Sequence, residues 1–550
     1  MQLRPRRLGL LSAVLAILIL SGVFIYHHRL AVYTASLSSR PFNIGLVGNI
    51  VALEPGEVGN HEEILLASAA YEGLVRYDEK SGKIKPLLAR KWKYSKDKKT
   101  LTLVLDTGIR FSNGKKLSAA DVKASWEANF AQGKDWSSLA NLFLPVRGGF
   151  ERIEGHTQDI SGIQIIDNHT IKISFEQPNT TFLYMLTNPV FWVYDTAADP
   201  AKGAVPGTGP FMIKENKDNK QIIMVPNATY HGEKPRLYAL SARIYDDADT
   251  ALADYRQGKL DYLDQIPEGE IKAIRQDPVL KKRFIYKPLL YTYNLGFNIS
   301  RAPYDNNYSL RRALNYAIDR KAITEKLLGG SYRPLKGVLP AGINGFDSNM
   351  RGYSLDLEKA RQLMEEAGYP EGKGLGPLVI AYDNNPGNQA VMEALSDQLG
   401  QIGVRIQLQP MDWDYYRKQV GRMEMSCFRI GWQADYPDAD SFLYNMYHSE
   451  RIGISNYHSY NNPQLDSVLS AIRRKDTDSE ERIQLLRRAE NILVDDAPAL
   501  FLFQKMAAKL VGEGVNNLNV DSMEMIDWTR IELFKPAQQT MENTKTASNK

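Results

Sequence analysis

The feature of this chain that most constrains its fold is the alternation of helices and strands in its second half. Apolar residues recur at helical spacing over Leu310–Leu328 and Leu355–Ala367. A strand pattern follows at Leu378–Tyr382, then a helix at Gln389–Ile402 and another strand at Val404–Pro410. Strands separated by a helix pair in parallel, because the helix carries the chain back across one face of the sheet. The second half is therefore predicted to be an α/β unit with mostly parallel pairing.

Further elements border this unit. An alternating strand is predicted at Tyr291–Asn298 and an apolar one at Phe428–Trp432. The unit ends with a helix over Ser479–Val494 and a short strand at Ala499–Phe503. Cys427, the single cysteine, lies beside a predicted strand and is expected to be a buried small apolar residue. One cysteine allows neither an intrachain disulfide nor a cysteine-based metal site.

The first half of the chain is predicted to be richer in strands. Phe42–Leu53 is typical of an apolar strand, and Thr100–Leu105 alternates as a half-buried strand does. Ser118 opens a Ser-Ala-Ala-Asp sequence that resembles a capping box and predicts a helix over Ala120–Phe130. Near its end the chain returns to strand at Ile531–Phe534. A chain of 550 residues is too long for one hydrophobic core, so we expect roughly two to four domains.

The net charge of +4 comes from the start of the chain. Residues 1–40 hold five arginines and no acid, so the remainder is close to neutral. Arg4, Arg6 and Arg7 precede an uncharged apolar run, Leu8–Tyr26, which is typical of an export signal and long enough to span a bilayer. An uncleaved N-terminal membrane anchor is favoured over a cleaved secretory signal. The body of the protein is expected outside the cytoplasm in either case, and the near-neutral body gives no support for a nucleic-acid partner.

Local enzyme motifs are absent from the sequence. His61-Glu62-Glu63-Ile64-Leu65 begins like a zinc-protease helix but carries Leu65 where the second histidine ligand belongs. The sequence has no G-x-S-x-G nucleophile elbow and no phosphate-binding loop. We expect no catalytic residues, no metal and no cofactor, although carboxylate pairs leave no local signal and an enzyme stays open on motifs alone.

Four segments, taken in order, resemble a known family. They are AAYEGLVRYD with the following KIKPLLARKW and TLTLVLDTGIRFSNGKKLSAADVKAS, then GTGPF, then YNLGFNISRAPYDNNYSLRRALNYAIDRKAI with YSLDLEKARQLMEEAGYP, and GWQADYPDADSFLYNMY. Together they resemble the extracellular solute-binding proteins of family 5, the oligopeptide and dipeptide receptors of ABC importers. The likeness extends over roughly residues 42–535, nearly the whole body of the chain.

The resemblance implies an α/β fold of the two-lobed periplasmic binding protein type, in its larger (type II) class, with a subdomain inserted in the first lobe. The implied boundaries are 1–40 for the signal or anchor, 41–58 for the first segment of lobe I, 59–190 for the inserted subdomain, 191–286 for the second segment of lobe I, 287–504 for lobe II, 505–535 for the returning segment of lobe I, and 536–550 for a disordered tail.

The resemblance also implies ligand-binding residues between the lobes. Asp435, in Trp-Gln-Ala-Asp-Tyr, matches the aspartate that holds the ligand α-ammonium; its alternative role is to cap the turn that follows. Trp432 matches a cleft tryptophan, with core packing as the alternative. Arg429 matches an arginine used for the ligand carboxylate, with a structural salt bridge as the alternative, and on a regular strand it lies on the opposite face from Trp432. Tyr293 and Asn294 are expected to meet the ligand backbone.

The implied function is that of an extracytoplasmic substrate-binding protein of an ABC importer, not an enzyme. It would capture short peptides by hinge closure, as a monomer held at the membrane through its N-terminal segment, and deliver them to ABC permease subunits. Relatives that carry nickel chelates, opines, oligosaccharides or haem keep a non-peptide ligand open. Two further classes of protein also stay open, a secreted hydrolase and an anchored sensor or adhesion protein.

Overall fold

The structure, a computed structural model, describes residues 37–131, 142–199 and 203–535. The apolar run Leu8–Tyr26 and the tail beyond Lys535 lie outside these ranges, so the anchor and the disordered tail stay predictions. Among the described residues, none of the helices is both long and apolar enough to cross a bilayer.

Strands and helices follow one another along most of the described chain. The strands are β1 (Phe42–Val47), β2 (Val75–Asp78), β3 (Lys83–Pro86), β4 (Ala89–Tyr94), β5 (Thr100–Leu105), β6 (Ile163–Asp167), β7 (Thr170–Ser174), β8 (Phe211–Lys217), β9 (Gln221–Pro226), β10 (Leu240–Tyr245), β11 (Tyr262–Leu263), β12 (Phe284–Phe297), β13 (Tyr332–Pro334), β14 (Leu378–Asp383), β15 (Ile406–Met411), β16 (Cys427–Gln433), β17 (Ala499–Val511), β18 (Val515–Asn516) and β19 (Glu532–Leu533). The α-helices are α1 (His61–Ala70), α2 (Ala119–Asn129), α3 (Gly149–Ile153), α4 (Phe182–Met185), α5 (Ala248–Arg256), α6 (Glu268–Gln276), α7 (Tyr308–Tyr316), α8 (Arg320–Ala322), α9 (Leu357–Glu366), α10 (Pro386–Gly400), α11 (Trp413–Gly421), α12 (Asp440–Tyr447), α13 (Pro463–Ile472) and α14 (Glu480–Asp496).

One mixed sheet runs through the molecule in the order β15-β14-β16-β12-β17-β11-β1-β10-β9-β8, with β13 paired to β17. β14 is parallel to β15 and β16, as the helix–strand alternation predicts. The pairings of β12 with β16 and with β17 are antiparallel, so the prediction of mostly parallel pairing in the second half is wrong at its centre. The physical reason is that β17 returns from the end of the second half and runs back along β12, a long-range pairing that no local pattern reports.

β12 and β17 join the two halves of the sheet. They pair on both sides of a break in register between Pro288 and Thr292. Next to this break the buried Gln504 side chain donates to the carbonyls of Leu289 and Ala341 and accepts from the Ala341 amide. Both strands are longer than their predicted segments, because their outer halves carry charged residues that conceal the strand pattern. We call the part of the sheet from β11 to β8 with its helices the first lobe, and the part from β12 to β15 the second lobe.

The hydrophobic cores follow this division. The first lobe buries residues from β1, α1 and β8–β11, together with residues between Val520 and Leu533. The second lobe buries one core on each face of β12 and β16. A separate core lies between Leu74 and Val193, around the antiparallel sheet β4-β5-β7-β6; we call this part the inserted subdomain. The exact chain boundaries expected for these parts stay predictions.

Local predictions can be compared with the helices and strands directly. The capping box at Ser118 is confirmed, since its side chain and that of Asp121 accept from each other's backbone amides at the start of α2. Cys427 is buried, as predicted. The long helix predicted over Leu310–Leu328 is wrong, because Asp319 caps a new helix after α7 and the chain continues as a π-helix over Ile323–Leu327.

Candidate functional site

β16 presents the predicted site residues on two different faces. Its ladder with β12 runs unbroken from Gln433 opposite Tyr291 to Cys427 opposite Phe297. Because side chains alternate along such a strand, Arg429 and Trp432 point to opposite sides of the sheet. The strand geometry therefore confirms the expected opposition of these two side chains.

Trp432 packs against the second-lobe core and donates its indole N–H to the Ser441 carbonyl at 3.0 Å. The residue is only partly buried. A ligand contact by Trp432 stays a prediction, and packing accounts for its position as well.

Asp435 lies just beyond β16, on the segment that leads into α12. Its carboxylate oxygen Oδ2 accepts from the Asn445 amide at 3.0 Å. Among the described residues no lysine, arginine or histidine forms an ion pair with it. Burial raises the pKa of Asp435 to about 7, against smaller opposing effects of the Asn445 hydrogen bond and the Arg451 charge. Within the described ranges, the site thus holds a carboxylate that is shielded from solvent and has no ion-pair partner.

The backbone of Asp435 is held from two sides. Its amide donates to the Ser441 hydroxyl at 2.9 Å, and its carbonyl accepts from the Asn188 side-chain amide at 2.8 Å. Ser441 and Asn445 belong to α12, whereas Asn188 belongs to the inserted subdomain. Ser441 and Asn445 follow Asp435 within ten residues, whereas Asn188 is 247 residues away along the chain. Sequence reasoning missed all three partners, and it gives no local signal for Asn188.

Asp438 and Asp440, the two aspartates that follow Asp435, both form buried ion pairs. Asp440 accepts from Arg473 at 2.7 and 3.0 Å, and Asp438 accepts from Arg482 at 2.7 Å, in buried ion pairs. Asp438 also accepts from the Asp440 amide at the start of α12. Asp438 therefore supplies a side-chain acceptor at the start of α12, and the ligand-binding role of Asp435 stays a prediction.

Arg429 lies in a cluster of aromatic rings and one carboxylate. Its guanidinium stands over the Tyr293 ring, 4.8 Å from the centroid, and 3.5 Å from both the Tyr291 hydroxyl and the Asp383 carboxylate. Burial opposes its charge, but these tyrosines and Asp383 raise the pKa of Arg429 above its usual value. Its Nε group has no hydrogen-bond partner in the described part of the chain. Because both 3.5 Å separations are long for hydrogen bonds, the Arg429 guanidinium keeps N–H donors that could bind a ligand carboxylate. This role of Arg429 stays a prediction.

Asp383 is a member of this cluster that sequence reasoning missed. It ends β14, and side chains at the carboxyl ends of parallel strands are the ones expected at the crevice of an α/β sheet. The predicted strand Leu378–Tyr382 ends one residue before Asp383. A carboxylate directly after a predicted strand is thus the sequence signal that could have identified it.

Tyr293 and Asn294 are both buried in β12. The Tyr293 hydroxyl donates to Asn388 at 2.9 Å. The Asn294 side chain donates to the Thr292 hydroxyl and accepts from the Leu502 amide. Their polar atoms already have partners within the second lobe, and their contact with a ligand stays a prediction.

The family model described as "Bacterial extracellular solute-binding proteins, family 5 Middle" matches residues 83–453, more than half of the chain. The chain is 27% identical over 477 residues to the probable D,D-dipeptide-binding periplasmic protein DdpA of Escherichia coli K12, covering 84% of this chain and 88% of that protein. It is 29% identical over 448 residues to heme-binding protein A of Haemophilus influenzae, covering 78% and 80%.

Among solved structures, the unliganded open form of the periplasmic murein tripeptide binding protein MppA matches with a TM-score of 0.77 at 23% identity. The match covers 92% of this chain and 99% of that chain. This likeness confirms the predicted fold, a two-lobed α/β periplasmic binding protein.

Proposed function

The chain belongs to family 5 of the bacterial extracellular solute-binding proteins, and from that premise we propose that it captures short peptides between its two lobes for an ABC importer. The names of DdpA and MppA, a dipeptide-binding and a tripeptide-binding protein, support a peptide as ligand. Both are periplasmic by name, which supports a location outside the cytoplasm. Closed receptor would then dock on the permease, and this chain would perform no covalent chemistry.

The observation that carries the proposal is the Asp435 carboxylate. Burying an ionised carboxylate without a cation is unfavourable, and the raised pKa of Asp435 reflects that penalty. A ligand ammonium placed beside it would supply the missing charge and up to three hydrogen-bond donors. An ionised Asp435 is thus unfavourable by itself, and an amine-bearing ligand would supply the opposite charge.

For the other end of a peptide we propose Arg429 of the second lobe. Arg429 has spare donor capacity and can bind a carboxylate through two parallel hydrogen bonds. Extended peptide backbone between the two charged ends would account for tolerance of different side chains. We propose ligand-binding roles for Asp435, Trp432, Arg429, Tyr293 and Asn294 on this basis, with Asp435 as the residue that selects an amine.

The proposal is tested by titrating the purified protein with trialanine and with N-acetyl-trialanine in a calorimeter. We expect trialanine to bind and acetylation to weaken binding at least about tenfold, the effect of removing one charge-assisted contact. Asp435→Asn should abolish the difference between the two peptides. Asp397→Asn removes an exposed carboxylate from α10 in the same lobe and should leave both affinities unchanged.

Haemin and a nickel–histidine chelate are titrated in parallel, because one relative is named a heme-binding protein. Binding of either one without any binding of peptide would refute the peptide proposal. Hydrolysis of trialanine by the pure protein would instead favour the alternative that the protein is a secreted hydrolase.

A further inference from the structure

Asn188 connects the inserted subdomain to the candidate ligand site. It is 7% exposed, and its side-chain oxygen accepts from the Val190 amide at 3.0 Å, capping the short 3₁₀ turn Pro189–Phe191. That bond fixes the orientation of the amide, so its nitrogen is the atom that faces the Asp435 carbonyl at 2.8 Å. Asn188 is therefore held rigidly by its own segment while it donates across to the second lobe.

The contact restrains the residue that would bind the ligand amine. The Asp435 amide is bound to Ser441 and its carbonyl to Asn188, so one hydrogen bond restrains each of the two flanking peptide planes. Asn445 then fixes the side chain itself. Removing Asn188 would free the carbonyl and allow the carboxylate to turn away from a bound ammonium.

Tyr436, the residue after Asp435, inserts its side chain into the core of the inserted subdomain. It is fully buried and packs within the core of the inserted subdomain, although it belongs to the second lobe by sequence. Its hydroxyl donates to Asp440, which is paired with Arg473. The Arg473 carbonyl in turn accepts from the amide of Thr180 in the subdomain at 2.9 Å. The segment after Asp435 is therefore joined to the inserted subdomain twice, through the packing of Tyr436 and through the Arg473–Thr180 hydrogen bond.

From these contacts we propose that the inserted subdomain orients the peptide site through Asn188, which is a positioning residue for Asp435. The proposal rests on the proposed role of Asp435 in binding the ligand ammonium. Peptide selectivity then depends on a part of the chain that touches no ligand atom. The subdomain acts on the second lobe through these contacts, while the chain connects it to the first.

The test measures selectivity for a free amine in two Asn188 variants. The readout is the ratio of the dissociation constants of N-acetyl-trialanine and trialanine, which a general loss of stability does not change. Asn188→Ala removes both bonds. Asn188→Asp keeps an acceptor for the Val190 amide but places an oxygen against the Asp435 carbonyl. We expect the ratio to fall about threefold to tenfold in each variant, the value of one hydrogen bond.

Asn129→Ala is the matched control. Asn129 is a buried asparagine of the same subdomain, and its amide donates to the Val190 carbonyl at 2.7 Å, a bond that lies within the subdomain. The control should lose stability and keep the wild-type ratio. An unchanged ratio in a folded Asn188 variant, or an equal loss in Asn129→Ala, overturns the proposal while the peptide-binding function stands. A wild-type protein that binds both peptides equally overturns the role of Asp435 and this proposal together.

Discussion

The guanidinium of Arg473 holds both carboxylate oxygens of Asp440, at 3.0 Å through Nε and 2.7 Å through Nη2, and both side chains are buried. Burial opposes the charges, but the pairing is close enough that the Arg473 charge lowers the pKa of Asp440. The pair lies under the loop that carries Asp435. It ties that loop to the interface with the inserted subdomain.

Breaking this pair from one side should destabilise the protein strongly. Arg473→Met leaves an unpaired buried carboxylate, and we expect the free energy of unfolding to fall by about 3–5 kcal/mol in a denaturant titration. The double variant Asp440→Asn with Arg473→Met should recover part of that loss. Lys83→Met breaks the exposed pair with Asp478 and should change stability by less than about 1 kcal/mol. Equal effects of the two single variants would contradict the importance of burial.

Replacing Asp435 should stabilise the empty protein at alkaline pH. The folded carboxyl has a pKa of about 7, against an ordinary value of 3.8, so above pH 7 the fold holds an unfavourable charge. This penalty shrinks as pH falls through 7 and is absent below about 3.8, where both folded and unfolded carboxyls are protonated. Asp435→Asn should therefore raise the free energy of unfolding by about 1–3 kcal/mol at pH 8, and hardly at all at pH 4.

Thermal unfolding of wild type and Asp435→Asn at pH 8, 6 and 4 measures this difference. Asp397→Asn serves as the control, since its side chain is exposed to solvent and its replacement should change stability little. An Asp435→Asn protein that is less stable than wild type at pH 8 would show that the carboxylate is well satisfied in the empty site.

Peptide affinity should depend on pH through the same group. Below pH 7 the Asp435 carboxyl is increasingly protonated in the empty site, so an ammonium must displace that proton and affinity falls. Above about pH 8 the peptide amine itself loses its charge. We expect the affinity for trialanine to be highest between about pH 7 and 8. In the Asp435→Asn variant, the affinity should no longer fall as the pH is lowered below 7. Calorimetry in buffers of different ionisation enthalpy should show proton release at pH 6; proton uptake there would contradict the prediction.

Gln504 should matter for both stability and closure, because it ties the crossing strands together beside the register break. Gln504→Leu leaves the carbonyls of Leu289 and Ala341 and the Ala341 amide without their partner, and we expect the free energy of unfolding to fall by about 1–3 kcal/mol. Trialanine should also bind more weakly, because loss of these hydrogen bonds loosens the strands that hold the two lobes in position around the ligand. Gln407→Leu, on the exposed side of β15, is the control for both measurements. A variant with normal affinity and lowered stability would restrict Gln504 to a structural role.

Much of the fold could be predicted from local patterns. β14, α10 and β15 lie within a few residues of their predicted bounds, because each has a regular apolar repeat that its neighbours in sequence complete. The outer half of β17 could not be predicted in this way. Lys509 interrupts its apolar pattern, and only the tertiary structure supplies the buried Asp264 that pairs with it at 2.6 Å.

The sequence by itself determined the family and the two-lobed architecture, since these depend on residue types in a fixed order along the chain. It also predicted Asp435 as the residue that binds a ligand amine. The tertiary structure decided which groups surround that aspartate. Asn188 lies far from Asp435 in sequence, and the two meet only because the inserted subdomain packs on the second lobe through the buried Tyr436. Whether a buried carboxylate has a cation beside it depends on such long-range packing, and no local pattern of residues records it.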